Sequence, residues 1–242
     1  MPATYRSSPS SPPIPDASSR VTTPTTGTPL APTPAAATDL GRLNHELREA
    51  SAREVLRRTF ERGERVIVSS SCGPDSAVLL KLVSDVRPDA IVVWVDTGHH
   101  TRATHRFVER VIDTWRFDLR VYHPRHRFRR PEADAGDVPG PGDPDHAAFV
   151  ETIKLEPFRR ALDELKPDHW ITGIRAEETD WRRTLDLASS GPDDIVKVAP
   201  LLHWTRANVD RFLREHRLPG GHDYHDVAKA GPKRECGLHD RL

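Results

Sequence analysis

Uninterrupted apolar runs, separated by stretches with apolar residues every three to four positions, constrain this chain most. Arg65-Val-Ile-Val-Ser69 and Ala90-Ile-Val-Val-Trp-Val95 lack the polar alternation of a half-exposed strand. Strands of that kind belong to a parallel sheet covered on both faces. Between them, Asp75 to Val86 places its apolar residues at helical spacing. The rhythm continues with a helix over about Ala103–Trp115, a strand over Leu119–His123, a helix near Glu156–Leu165 and a strand at His169–Gly173. Ile195–Ala199 reads as a further strand and Arg206–His216 as a further helix. Upstream, Leu40, Leu43 and Leu47 share one helical face, and Ser51-Ala-Arg-Glu54 has the form of a capping box opening a helix that Gly63 can stop. Strand and helix in turn predict an α/β fold: a doubly wound, mostly parallel sheet with helices on both faces, in a single domain. Pro124–His146, with five Pro and three Gly, interrupts the pattern as a long loop. From Arg217 onward no periodicity is visible.

Composition narrows the functional classes. The first 38 residues hold 9 Pro, 6 Ser, 8 Thr and 6 Ala with three charges. Such a segment cannot bury enough apolar surface to offset its ordering entropy, so disorder is expected over 1–38. No run approaches the roughly 20 apolar residues of a membrane helix, and the N-terminus shows no apolar signal core. A cytoplasmic protein without a membrane partner is therefore expected. The 36 basic and 36 acidic residues cancel, with no basic block, so no nucleic-acid partner is expected. Two cysteines, Cys72 and Cys236, are too few for a disulfide scaffold, a four-cysteine iron–sulfur cluster or an all-cysteine zinc site. The 13 histidines show no metal-ligand spacing, and His99-His100 reads as loop surface, so no metal is expected.

Ser69-Ser-Ser-Cys-Gly-Pro-Asp-Ser76 lies between a predicted strand and a predicted helix, where open α/β sheets bind ligands. Small side chains let the backbone close around an anion, and the following helix offers amide donors and a positive dipole end. The hydroxyls of Ser69, Ser71 and Ser76 can add hydrogen bonds. A second signal is Lys233-Arg-Glu-Cys-Gly-Leu-His239. Positive neighbours lower a thiol pKa and raise its reactive thiolate fraction, against which Glu235 works. The segment reads as an exposed nucleophile on a flexible arm.

The octapeptide resembles the PP-loop, S-G-G-x-D-S, of the adenine nucleotide alpha-hydrolase-like superfamily. Ser71, Gly73, Asp75 and Ser76 match, and Cys72 stands where the first Gly would be. The E-C-G-L-H near the C-terminus resembles the catalytic tail of the phosphoadenylyl-sulfate (PAPS) reductase family. Val95-Asp-Thr-Gly98, the run Ile153–Leu162, Gly173–Thr179 and Lys197–Trp204 resemble that family's segments in the same order. Between Leu218 and Lys233 the chain is shorter than the family pattern.

The resemblance implies that Cys236 attacks the sulfur of the sulfonucleotide, assisted by His239. It implies that Ser69, Ser71, Gly73, Asp75, Ser76, Asp96, Thr97 and Gly98 line the nucleotide site. Arg175 and Arg182 would clamp phosphate and sulfate oxygens, a role suited to guanidinium geometry, with Lys233 and Arg234 also contacting the anion. It further implies electrons from thioredoxin or glutaredoxin, no bound cofactor, a possible homodimer, and PAPS as substrate with adenylyl sulfate (APS) not excluded. The expected organisation is then 1–38 as a disordered segment, 39–216 as a nucleotide-binding domain and 217–242 as the arm with the catalytic cysteine. An ATP-cleaving PP-loop nucleotidyltransferase and a specialised sulfur-metabolism homologue are the alternatives.

Overall fold

The apolar runs become the centre of a six-stranded sheet in the computed structural model, which describes residues 34–128, 138–140, 142–229, 235 and 237–240. β1 (Val66–Ser69) pairs in parallel with β2 (Ile91–Val95) on one side and with β4 (His169–Ile171) on the other. β3 (Asp118–Tyr122) lies parallel beyond β2, and β6 (Val196–Val198) parallel beyond β4. β5 (Ala188–Ser190) runs antiparallel to β6 at the outer edge. The order β3-β2-β1-β4-β6-β5 means that the chain builds outward from β1 in one direction and then restarts on its other side. That reversal opens a crevice at the carboxyl ends of β1 and β4.

Successive strand residues point to opposite faces, and both faces are covered. Ile67, Val93 and Trp170 pack with Phe149 of α5 (His146–Val150), Ile153 of a π-helical turn (Glu151–Leu155) and Phe158 of α6 (Glu156–Leu165). Val68, Val92, Trp94 and Ile171 face the other way, against α2 (Ala52–Arg62), α3 (Ser76–Val86), α4 (Arg102–Trp115) and α7 (Arg206–Glu215). A third cluster joins Leu43 and Leu47 of α1 (Pro34–Leu47) to Ala188, Val198 and Leu202 beside the β5 edge.

Four expectations are revised. Helix α1 begins at Pro34, inside the stretch where disorder is expected; proline is pre-organised for a first helical turn and Ala35–Ala37 favour its continuation. Residues 1–33 lie outside the described residues. At α2, Ser51 Oγ accepts from the Glu54 amide at 3.2 Å, but the Glu54 carboxylate goes to Arg57 and Arg58, leaving half a capping box. Regular structure resumes at His146 with α5 and the π turn, ten residues before the expected helix. The described residues after Arg217 form no helix or strand, yet they pack: Ala228 and Leu238 are buried in the core and His222 stacks on Phe107 at 4.8 Å. Among the described residues no helix is long and apolar enough to cross a membrane.

Candidate active site

At the end of β1, Ser69 Oγ accepts a 2.7 Å hydrogen bond from Trp170 Nε1 of the fully buried β4 indole. The loop then turns at Cys72, whose φ of 52° lies in the left-handed region. Glycine adopts that region at least cost, which accounts for glycine at this place in the PP-loop pattern. The Cys72 side chain enters the core, and burial pushes its thiol up to about 12. Asp75 precedes the first turn of α3 but makes no capping bond. Its carboxylate instead accepts from Arg206 at 2.6 Å and from Arg175 at 3.3 Å.

The opposing wall follows β4. Arg175 is buried and also donates to Glu178 at 3.1 Å and to Glu177. Arg182, only 4% exposed, donates to Glu178 and, at 2.7 Å, to Glu235. Both arginines thus lie beside the crevice, each paired with carboxylates.

The π turn carries Lys154 to the crevice, where Nζ meets Asp226 Oδ2 at 2.7 Å. Burial raises the Asp226 carboxyl, but Lys154 outweighs it and holds the group below its ordinary value. Tyr224 stacks on His100 at 6.1 Å, and its ring lies 3.4 Å from where a Cβ on Gly73 would sit. From the C-terminal segment, the His239 ring stacks on Trp170 at 5.4 Å. Burial, reinforced by the positive charges of Lys197 and Arg182, pushes His239 well below its ordinary value, so its imidazole is neutral.

These elements enclose a cleft of about 380 Å³. The β1 loop supplies Ser69, Ser71, Gly73, Asp75 and Ser76; the turn after β2 supplies Thr97. Arg175, Arg182 and His239 complete the expected set on the lining. Asp96 and Gly98 flank Thr97 but do not line the cleft. The Asp96 carboxylate accepts from the Gly98 amide at 3.0 Å and meets His105 Nε2 at 3.1 Å. Burial raises that carboxyl, but the Gly98 and His105 contacts win and keep it below the ordinary range. Lys233, Arg234 and Cys236 lie outside the described residues, although Glu235 and Gly237–Asp240 on either side of the cysteine are within them.

Lys154, Arg206, Glu178, Tyr224, Asp226 and Glu235 were not expected at the site. Only Lys154, a single charge in the apolar run Ile153–Leu155, carried a local signal.

The family model described as the phosphoadenosine phosphosulfate reductase domain matches residues 65–226. The chain belongs to this family. The phosphoadenosine 5'-phosphosulfate reductase of Vibrio atlanticus is 31% identical over 224 residues, covering 83% of this chain and 86% of its own. That of Alkalilimnicola ehrlichii is 31% identical over 225 residues, with 84% and 91% covered. The crystal structure of the PAPS reductase from Candida auris, a phosphate complex, shares the fold with a TM-score of 0.65 at 22% identity, over 79% of this chain and 90% of that one. As a PAPS reductase family member the chain is an oxidoreductase on the PP-loop scaffold, and the crevice at the sheet reversal is where its β1 loop, its arginines and its C-terminal His239 meet.

Proposed function

We propose that the chain reduces 3'-phosphoadenylyl sulfate to sulfite and adenosine 3',5'-bisphosphate, with Cys236 as nucleophile and a dithiol protein of the thioredoxin or glutaredoxin type as electron donor. One observation carries the reading. Among the described residues four buried side-chain nitrogens lack a hydrogen-bond partner, and three of them belong to cleft-lining residues: His100 Nδ1, Arg182 Nε and His239 Nδ1. Buried polar groups are rarely left unsatisfied, because each costs about 1–3 kcal/mol. His100 Nε2 donates to the Val95 carbonyl, so its Nδ1 is an acceptor, but Arg182 Nε is a donor and one tautomer of the neutral His239 ring makes Nδ1 another. Unmatched donors at one cleft fit a ligand rich in acceptor oxygens, and the relatives named above are reductases of such a nucleotide.

The chemistry follows from the residues. Of the two cysteines, Cys72 is buried with its thiol pushed up to about 12, which leaves Cys236 as the nucleophile. Its thiolate attacks the sulfonate sulfur; the sulfur–oxygen bond to the phosphate breaks, and adenosine 3',5'-bisphosphate departs. Cys236 then carries a thiosulfonate. A donor thiolate attacks the Cys236 sulfur, the sulfur–sulfur bond breaks and sulfite leaves. The second donor thiol resolves the mixed disulfide, so the donor is oxidised by two electrons and Cys236 returns as a thiol. Arg175 and Arg182 exchange their carboxylate partners for the phosphate and sulfate oxygens, and the β1 loop holds the 5'-phosphate.

The test is intact mass after reduced protein meets PAPS, and separately APS, without a donor thiol. A gain of about 80 Da, absent in Cys236→Ser, is the expected sulfonate adduct of nucleophilic catalysis, and it reports which nucleotide is used. Folded protein that binds nucleotide yet forms no adduct with either would overturn the proposal in favour of ATP cleavage.

A further inference from the structure

The chain on either side of Cys236 is anchored to the body of the protein. Glu235 has a side chain only 9% exposed, and both of its carboxylate oxygens are held: Oε1 by the Thr179 hydroxyl at 2.7 Å, Oε2 by Arg182 at 2.7 Å. Two residues beyond the cysteine, Leu238 is buried in the core. At the next residue the His239 carbonyl accepts from Lys197 Nζ at 2.8 Å while its ring lies on Trp170.

Lys197 sits on β6, where an apolar residue would be the ordinary choice between Val196 and Val198. Its place is prepared. The stem runs beside Gly191, where a Cβ would come within 2.8 Å of Lys197 Cδ. Its ammonium lies 5.0 Å from the centre of the Trp170 ring, so the indole meets both the lysine and the His239 imidazole. Burying a lysine is costly unless its donors find acceptors, and one of those acceptors belongs to the C-terminal segment.

We propose that Thr179 and Lys197 are positioning residues that dock the C-terminal segment on both sides of Cys236. Neither lines the cleft; the Thr179 hydroxyl also accepts from the Arg182 amide at 3.2 Å, so Lys197 is the one whose influence on the reaction runs through the docked segment alone. The catalytic consequence rests on the reading of Cys236 as nucleophile; the docking itself does not.

The experiment uses the full chain with Thr179→Val, Thr179→Ser and Lys197→Met, compared with the parent protein. Hydrogen exchange in the substrate-free protein follows the peptide spanning 235–242. Thr179→Val and Lys197→Met each speed its exchange by about tenfold, as loss of one anchor of a locally opening segment requires, whereas Thr179→Ser, which keeps the hydroxyl, matches the parent. With saturating PAPS, adduct formation at Cys236 slows by about tenfold in the same two variants, because misplacing the reacting group raises the barrier. In Lys197→Met, affinity for adenosine 3',5'-bisphosphate stays within about twofold of the parent, as expected for a residue that touches no ligand. Unchanged exchange in both variants overturns the dock. So does a loss of nucleotide affinity in Lys197→Met equal to its loss in rate, which would make the lysine part of the binding site. If the parent protein itself forms no adduct, the functional reading fails, and the exchange data alone decide the docking.

Discussion

At position 72 a side chain stands in backbone geometry that favours glycine, with φ of 52° and 1% of its surface exposed. Burial pushes the thiol up to about 12, so at pH 8 only about one molecule in ten thousand would carry the thiolate that reacts. Native alkylation at pH 8 should therefore leave Cys72 unlabelled, and denaturant should expose it. Peptide mass mapping checks this, and rapid native labelling of Cys72 would contradict its burial. Lys197 titrates in the opposite sense. Burial, partly opposed by Asp240, pulls it from 10.5 down to about 8. Between those values the unfolded chain binds the proton and the native chain does not, so stability rises with pH across that window and levels off on either side. Lys197→Met removes this contribution. The difference in melting temperature between parent and variant should climb from about pH 8 to about 10.5; a flat difference would place the lysine in water. The sequence made the β1 loop legible at this scale because its small and hydroxyl residues are contiguous. Lys154 and Asp226, 72 positions apart, meet only through the fold and left no joint signal.

Among the elements, strands β1, β2 and β3 and helices α4 and α6 emerge within about two residues of where periodicity puts them, because each presents an apolar pattern of its own. Strand β5 does not. Ala188-Ser-Ser190 has no apolar run, and it exists as a strand through its antiparallel pairing with β6. Its outer edge is closed by a side chain: Asn44 of α1 donates Nδ2 to the Ala188 carbonyl at 2.8 Å and accepts the Ala188 amide on Oδ1 at 2.8 Å. One amide side chain thus takes the place of a neighbouring strand, satisfying an edge that would otherwise be open to pairing. Asn44→Ala should cost about 1–3 kcal/mol, the range for leaving partly buried backbone groups unmatched. Urea unfolding reads the change, and a midpoint equal to the parent's would mean that water serves these groups as well. The π turn at Glu151–Leu155 was illegible for a different reason. It has the composition of any helix, and its widened backbone, of a kind found at functional sites, is set by packing around Phe149 and Ile153 and by the Lys154–Asp226 pair.

Over the whole molecule, the order of strands decides where chemistry happens and the C-terminal segment decides what encloses it. The doubly wound sheet was legible in the alternation of strand and helix. Neither the place of its reversal at β1 nor the closing of the crevice by residues after Arg217 was, since strand order leaves no local pattern and that last stretch lacks periodicity. It reads as an arm and folds as part of the body. His222 Nε2 approaches the Cys72 carbonyl at 3.1 Å, the Thr101 hydroxyl donates to the Asp223 carbonyl at 2.7 Å, and Asp226 faces Lys154 in a pair whose side chains are 10% and 6% exposed. Removing residues 219–242 should therefore cost the fold, not only the nucleophile. Deleting Leu238 forfeits the roughly 1.5–3 kcal/mol that its burial contributes. Depriving a buried lysine of its carboxylate loses about 3–5 kcal/mol. Together these are a large part of the roughly 5–15 kcal/mol that holds a domain folded. The truncated chain should unfold at a much lower urea concentration than the full chain, by tryptophan fluorescence and far-ultraviolet circular dichroism alike, while Cys236→Ser, which deletes the nucleophile alone, should unfold with the parent. A truncated chain as stable as the parent would mean that the crevice is built without its C-terminal wall, and that the segment acts only by carrying the cysteine.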